Sequence, residues 1–93
     1  MTFLHAIVLV QLQRIEGART VYSIYHLLKG KKSSQTIQDA HLFNLGVFFQ
    51  TFPNLQRNVF DEIIHDLYQN GFITQQDELK FVLSEKGCQE LAV

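Results

Sequence analysis

From Leu55 onward the apolar positions change period twice, and each change marks an element. Leu55, Val59, Ile63 and Leu67, with the offset set Phe60, Ile64 and Tyr68, recur at three- and four-residue steps, predicting an amphipathic helix over 55–70. Gly71 is placed to end it in a left-handed conformation, and Asn70 before it also tolerates positive φ. Phe72 and Ile73 open a short extended run, and Gln75–Glu78 reads as an all-polar reversal. Leu79, Phe81 and Leu83 then alternate with Lys80, Val82 and Ser84 in the two-residue rhythm of a strand. Ser84 is a good N-cap, with Glu85 in the first turn, for a last helix through Cys88, Leu91 and Ala92.

Upstream, Thr2–Ile15 has neither glycine nor proline and carries two apolar lines, Leu4, Val8, Leu12, Ile15 and Phe3, Ile7, Val10. Its unbroken length predicts a helix rather than a strand. A helix apolar on two sides needs two covers: either the one small domain wraps both faces, or, once the core takes Leu4, Val8 and Leu12, the line Phe3, Ile7, Val10 meets a second copy or a longer parent chain. Arg19–Lys29 reads as a second helix, with Val21, Ile24, Tyr25 and Leu28 on one face and Gly30 at its end. Ser33 and Ser34 offer an N-cap for a third, carrying Ile37, Ala40, Leu42, Phe43 and Leu45 and ending at Gly46. Val47–Phe52 fits a short helix or a short extended run; Pro53 limits both, and Asn54 is placed to cap the long helix.

The order is therefore four helices, a hairpin and a final helix: mainly α with a small β-hairpin. The frame Leu67, Gly71, Phe72, Ile73, then Val82, Leu83, Ser84, Gly87 and Leu91, resembles the ending of many winged helices, in which the hairpin is the wing. The resemblance implies a winged helix-turn-helix with an extra N-terminal helix. Winged helices bind DNA, RNA or other proteins, and some only their own copies, so the fold does not decide the activity.

Ninety-three residues suffice for one domain, and at 46% hydrophobic and 12% aromatic the chain can build an ordered core. The lone cysteine, Cys88, has no internal disulfide partner and falls where a core position of the last helix is expected. That favours a reducing compartment. The apolar run Ala6–Val10 is too short to span a bilayer and no cation precedes it as in a signal peptide, so a cytoplasmic location without membrane contact is expected.

A second resemblance covers residues 18–73, in the run ARTVYSIYHLLKGKKSSQTIQDAHLFNL followed by FFQTFPNLQRNVFDEIIHDLYQNGFI. It is most specific at Arg19, Thr20, Ser23, Gly30, Gln38, Asp39, Phe43 and Pro53. These segments resemble the N-terminal part of the YpbB-like proteins, uncharacterised proteins of low-GC Gram-positive bacteria encoded beside a RecQ-type helicase. Family members are several times longer and end in a second helix-turn-helix domain of the helicase-associated kind, which these residues do not contain. The resemblance implies that 1–93 is a single winged-helix domain, the N-terminal part of a longer protein. It also implies association with helicase or nucleic-acid metabolism, and no biochemical activity.

Catalytic patterns fail. His5, His26, His41 and His65 lie in four different predicted helices, without the spacing that sets two imidazoles on one metal. The glycines stand singly at element boundaries rather than in a phosphate loop, and Asp61, Glu62 and Asp66 read as a solvated helix face. Cys88 has only Lys86 as a basic neighbour, two residues away and on another side of the helix. A non-enzymatic chain without metal, cofactor or small-molecule substrate is expected.

Charge is unevenly spread. Residues 1–32 hold Arg14, Arg19, Lys29, Lys31 and Lys32 against Glu16, a net of +4. Residues 33–93 hold Arg57, Lys80 and Lys86 against Asp39, Asp61, Glu62, Asp66, Asp77, Glu78, Glu85 and Glu90, a net of -5. The helix before the wing usually enters the major groove, and here it and the hairpin tip are acidic, which phosphates repel. Only Gln56, Arg57 and Asn58, in its first turn, suit bases or phosphates.

Two functions follow. One is a protein-interaction or dimerisation module, using the first helix or the acidic face of the long helix, with a second copy or the helicase as partner. The other is a DNA-binding module that meets phosphates through Lys29, Lys31, Lys32 and Gln35, where the bland alternative is a solvated helix end whose lysines favour the helix dipole. Net charge favours the first, and the fold resemblance favours the second.

Overall fold

The computed structural model describes residues 1–92; Val93 lies outside the described residues. The unbroken apolar run folds as helix α1, Phe3–Ile15, started by a capping box in which Thr2 and His5 exchange side-chain-to-backbone hydrogen bonds. Four more helices follow in chain order: α2 Val21–Lys29, α3 Ser34–Leu42, α4 Arg57–Gln69 and, after the hairpin, α5 Glu85–Leu91. Strands β1, Ile73–Asp77, and β2, Lys80–Leu83, form one antiparallel pair.

α1 runs through the core rather than along its edge. Ile7, Val8, Leu9, Gln11, Leu12 and Ile15 are all buried, and the helix packs against α2, α4, α5 and β2. The line Phe3, Ile7, Val10 is therefore not a free apolar face. Ile7 is a core residue, Val10 is half-buried, and only Phe3 stays in solvent at 75% exposure.

Several boundaries differ from expectation. α3 ends at Leu42 rather than near Gly46, because Asn44 takes the left-handed conformation (φ 56°) and the Leu45 N–H closes on the Ala40 carbonyl at 2.8 Å. Leu45 thus reaches the core from outside the helix, fully buried. The ambiguous stretch contains a single 3-10 turn, Gly46–Phe48, and then Gln50 in a left-handed conformation. Gln56 rather than Asn54 occupies the N-cap of α4, and its side chain makes no capping bond.

The reversal is tighter and later than the polar run Gln75–Glu78. Gln75 pairs with Phe81 and Asp77 with Lys80, so Gln76 is left over as a bulge and the turn falls at Glu78 and Leu79. Leu79 leaves the strand, and its carbonyl accepts from Val21 N–H at 2.9 Å, tying the hairpin end to the start of α2.

At the far end of the hairpin, Ser84 caps α5 by accepting from Gly87 N–H at 3.1 Å and donates to the Gly71 carbonyl. Gly87 is buried where a Cβ would stand 2.1 Å from the Phe72 carbonyl oxygen, so only glycine permits this approach of α5 to the hairpin. Cys88, expected in the core, is exposed, since Gly87 and not its neighbour faces the hairpin.

Candidate functional site

The last turn of α2 is closed by Gly30 in the left-handed conformation, and Lys31 N–H then bonds back to the His26 carbonyl at 2.9 Å. This places Lys31 beside His26, two residues after Lys29 and just beyond the helix. The segment before α4 is laced to the same helix: Gln50 N–H bonds to the Leu27 carbonyl, Phe52 N–H to that of Leu28, and the Tyr25 hydroxyl donates to Leu55 O at 3.2 Å. Those bonds hold the start of α4, and with it Arg57, against α2.

Arg57 lies 4.1 Å from the centroid of the Tyr22 ring, and Lys29 Nζ lies 5.6 Å from that of Tyr25. Both rings pack on buried Phe60, at 6.1 Å and 5.3 Å between centroids, so the two cations rest on an aromatic floor anchored in the core. His26 completes the group, 5.7 Å from Tyr25 between ring centroids. Burial lowers the His26 pKa first, and the charges of Lys31, Arg57 and Lys29 lower it further. Arg57 is held above its ordinary value, first by its hydrogen-bonding neighbour Tyr22 and less by the Asp61 charge, against some desolvation.

The charges of Lys29, Lys31 and Arg57 thus all bear on one imidazole, although 26 residue numbers separate the last two. Lys32 is exposed. The Gln35 amide donates to Asp39 Oδ1 at 3.0 Å, and buried Asp39 also faces Arg19 at 3.5 Å, so Gln35 is committed within the fold. Sequence reading missed Tyr22 and His26 as members of this face. Tyr22, Tyr25, His26 and Lys29 stand at i, i+3, i+4 and i+7 on α2, a stripe legible in principle as aromatic and basic rather than apolar.

The carboxylates of α4 are partly engaged. Asp61 accepts from the Tyr22 hydroxyl at 2.8 Å, and Asp66 Oδ2 lies 3.2 Å from His5 Nε2. An open hollow at the end of α2 is lined by Tyr25, His26, Lys29, Gly30 and Lys31. Among the described residues, no three His, Cys, Asp or Glu side chains come together as a metal site, and no helix is long and apolar enough to cross a membrane.

No family model and no solved structure matches the chain. It is similar to Protein YpbB of Bacillus subtilis (strain 168), with 32% identity over 78 residues, which is 84% of this chain and 22% of that protein. The chain spans about a fifth of the length of the relative it matches. This homology supports a YpbB-like family for the chain.

Proposed function

We propose that the chain is a non-enzymatic winged helix-turn-helix module with an extra N-terminal helix, and that it binds nucleic acid through the basic face of α2 and the first turn of α4. The order of helices, antiparallel hairpin and capped last helix supports the winged-helix assignment, with α3 and α4 as the helix-turn-helix, the hairpin as the wing and α1 as the addition. The single observation that carries the binding reading is that Lys29 of α2 and Arg57 of α4 lie over tyrosines packed on the same buried Phe60. Isolated lysines at a helix end are adequately explained as solvated charge; cations gathered from two segments onto one aromatic floor form a phosphate-sized positive surface.

A salt series tests this reading. Binding of a mixed-sequence oligonucleotide should weaken linearly in log–log form, with a slope of about −0.9 per phosphate contact on duplex, so three contacts give about −2.7. Replacing Lys29 and Lys31 by Gln together with Arg57→Ala should abolish both affinity and slope. Wild-type protein that fails to bind at low salt would remove the reading.

A protein-docking or dimerisation role, with a second copy or a helicase as partner, is favoured by a different observation. Phe3, Leu42 and Val47 are exposed by 75%, 69% and 74%, which is high for large apolar side chains. Sedimentation over a concentration series, comparing wild type with Leu42→Ser/Val47→Ser, tests self-association through the second and third of these.

A further inference from the structure

The basic face of α2 is narrow and built from planar groups. Tyr22, Tyr25 and Lys29 stand at i, i+3 and i+7, so they fall on one stripe that rises about 10 Å along the helix. Arg57 joins this stripe from α4: its guanidinium carbon lies 4.1 Å from the Tyr22 ring centroid, in contact with one face of the ring. Arg57 is itself exposed, so the side of the guanidinium turned away from Tyr22 is open to solvent. Tyr22 is held from two directions, by its packing on Phe60 at 6.1 Å and by the bond its hydroxyl donates to Asp61 at 2.8 Å. The stack is therefore in place before anything binds, and its outermost layer is a planar cation.

What borders the stripe is negative. Asp61, Glu62 and Asp66 follow Arg57 along α4, all exposed, and Asp77 and Glu78 stand exposed at the hairpin end. From Arg57 to Asp66 the helix rises about 13 Å, close to the ~12 Å width of a major groove, so a duplex seated on Arg57 brings its phosphates up to these carboxylates. Granting the nucleic-acid reading, we propose that the stripe takes a single-stranded nucleic acid in preference to a duplex, with an unpaired base stacked on the outer face of Arg57 and a nearby backbone phosphate on Lys29. A duplex keeps the faces of its bases stacked inside and offers only phosphates, which meet the repulsion of α4 and the hairpin as well as the cations. A single strand splays its bases out to stack on an aromatic ring or a guanidinium plane, and its one backbone can follow α2 without crossing the carboxylates. Arginine suits position 57 because a guanidinium is planar, weakly hydrated and able to stack, whereas an ammonium is a point charge. Lys29, with its Nζ 5.6 Å from the Tyr25 centroid, supplies the point charge for the phosphate.

The test is fluorescence anisotropy at low salt with one mixed-sequence DNA strand that does not self-pair, the same strand annealed to its complement, and an abasic strand of the same length. The intact single strand should bind about tenfold tighter than either of the others, the size of one base stacked on a protein side chain. Arg57→Lys keeps the charge and removes the plane, so it should bind the intact and abasic strands alike, with the salt dependence of abasic binding unchanged. The same series with an RNA strand and its duplex assigns the sugar, and preference for either single strand over its duplex supports the proposal. Duplexes bound as tightly as both single strands, abasic DNA bound as tightly as the intact strand, or an Arg57→Lys protein that keeps the full preference would overturn it and leave the nucleic-acid reading intact. Absence of binding by every form would overturn both.

Discussion

The Arg57 guanidinium sits 4.1 Å from the centroid of the Tyr22 ring, and the hydroxyl of that ring donates to Asp61, one turn further along α4. One aromatic side chain of α2 therefore organises a cation and an anion of α4. Arg57→Ala should lower stability only slightly, because the cation–π contact it removes is exposed to solvent. On the binding side it should remove about one counterion from the salt slope on duplex. Unchanged affinity and slope would take Arg57 out of the interface.

Gln11 is fully buried in α1, and its Oε1 has no hydrogen-bond partner, while its Nε2 reaches the Ile7 carbonyl at 3.3 Å. An unsatisfied buried acceptor costs about 1–3 kcal/mol, and methionine has nearly the same volume without it. Gln11→Met should therefore raise stability by about 1 kcal/mol and the midpoint of thermal unfolding by about 4–8 °C. A fall in the urea midpoint would mean that a donor satisfies this oxygen in solution.

Gly87→Ala places a methyl group 2.1 Å from the Phe72 carbonyl oxygen, a backbone atom that cannot rotate away. Chemical denaturation should show a loss of about 1–3 kcal/mol or more, since α5 must lift off the hairpin. Ser84→Ala, which removes the cap of the same helix, should lose about 1 kcal/mol. Near-neutral behaviour of Gly87→Ala would contradict the packing of α5 on the hairpin.

The lowered pKa of His26 gives a signed pH dependence. Its folded value lies below the ordinary 6.5, because burial and the charges of Lys31, Arg57 and Lys29 disfavour the imidazolium. Between the two values the unfolded chain binds more protons, so stability rises with pH there. The contribution of His26 is complete above pH 6.5 and is lost as pH falls through its folded pKa. In His26→Gln the stability-against-pH curve below 6.5 should be flatter than in wild type, and an identical curve would show that His26 is not the group involved.

What the sequence determined by itself was set by local periodicity and local caps. The helix over 55–70, the Gly71 stop, the Ser84 cap and the hairpin between them are short-range features, each satisfied by residues a few positions apart, and their order in the chain is the order observed. Tertiary structure decided what lay beyond that range. Whether Ile7 is a core residue or an interface residue depends on which elements pack around α1, and no periodicity within α1 contains that information. Asn44 rather than Gly46 closes α3 because the fold draws Leu45 into the core. Lys29 and Lys31 were legible as a cluster and Arg57 as a lone cation; setting Lys29 and Arg57 on tyrosines that share Phe60 required the loop before α4 to bond to the end of α2. Charge along a chain is a property of residues, whereas charge at a place is a property of the fold, since it sums over segments that only packing brings within a Debye length of one another.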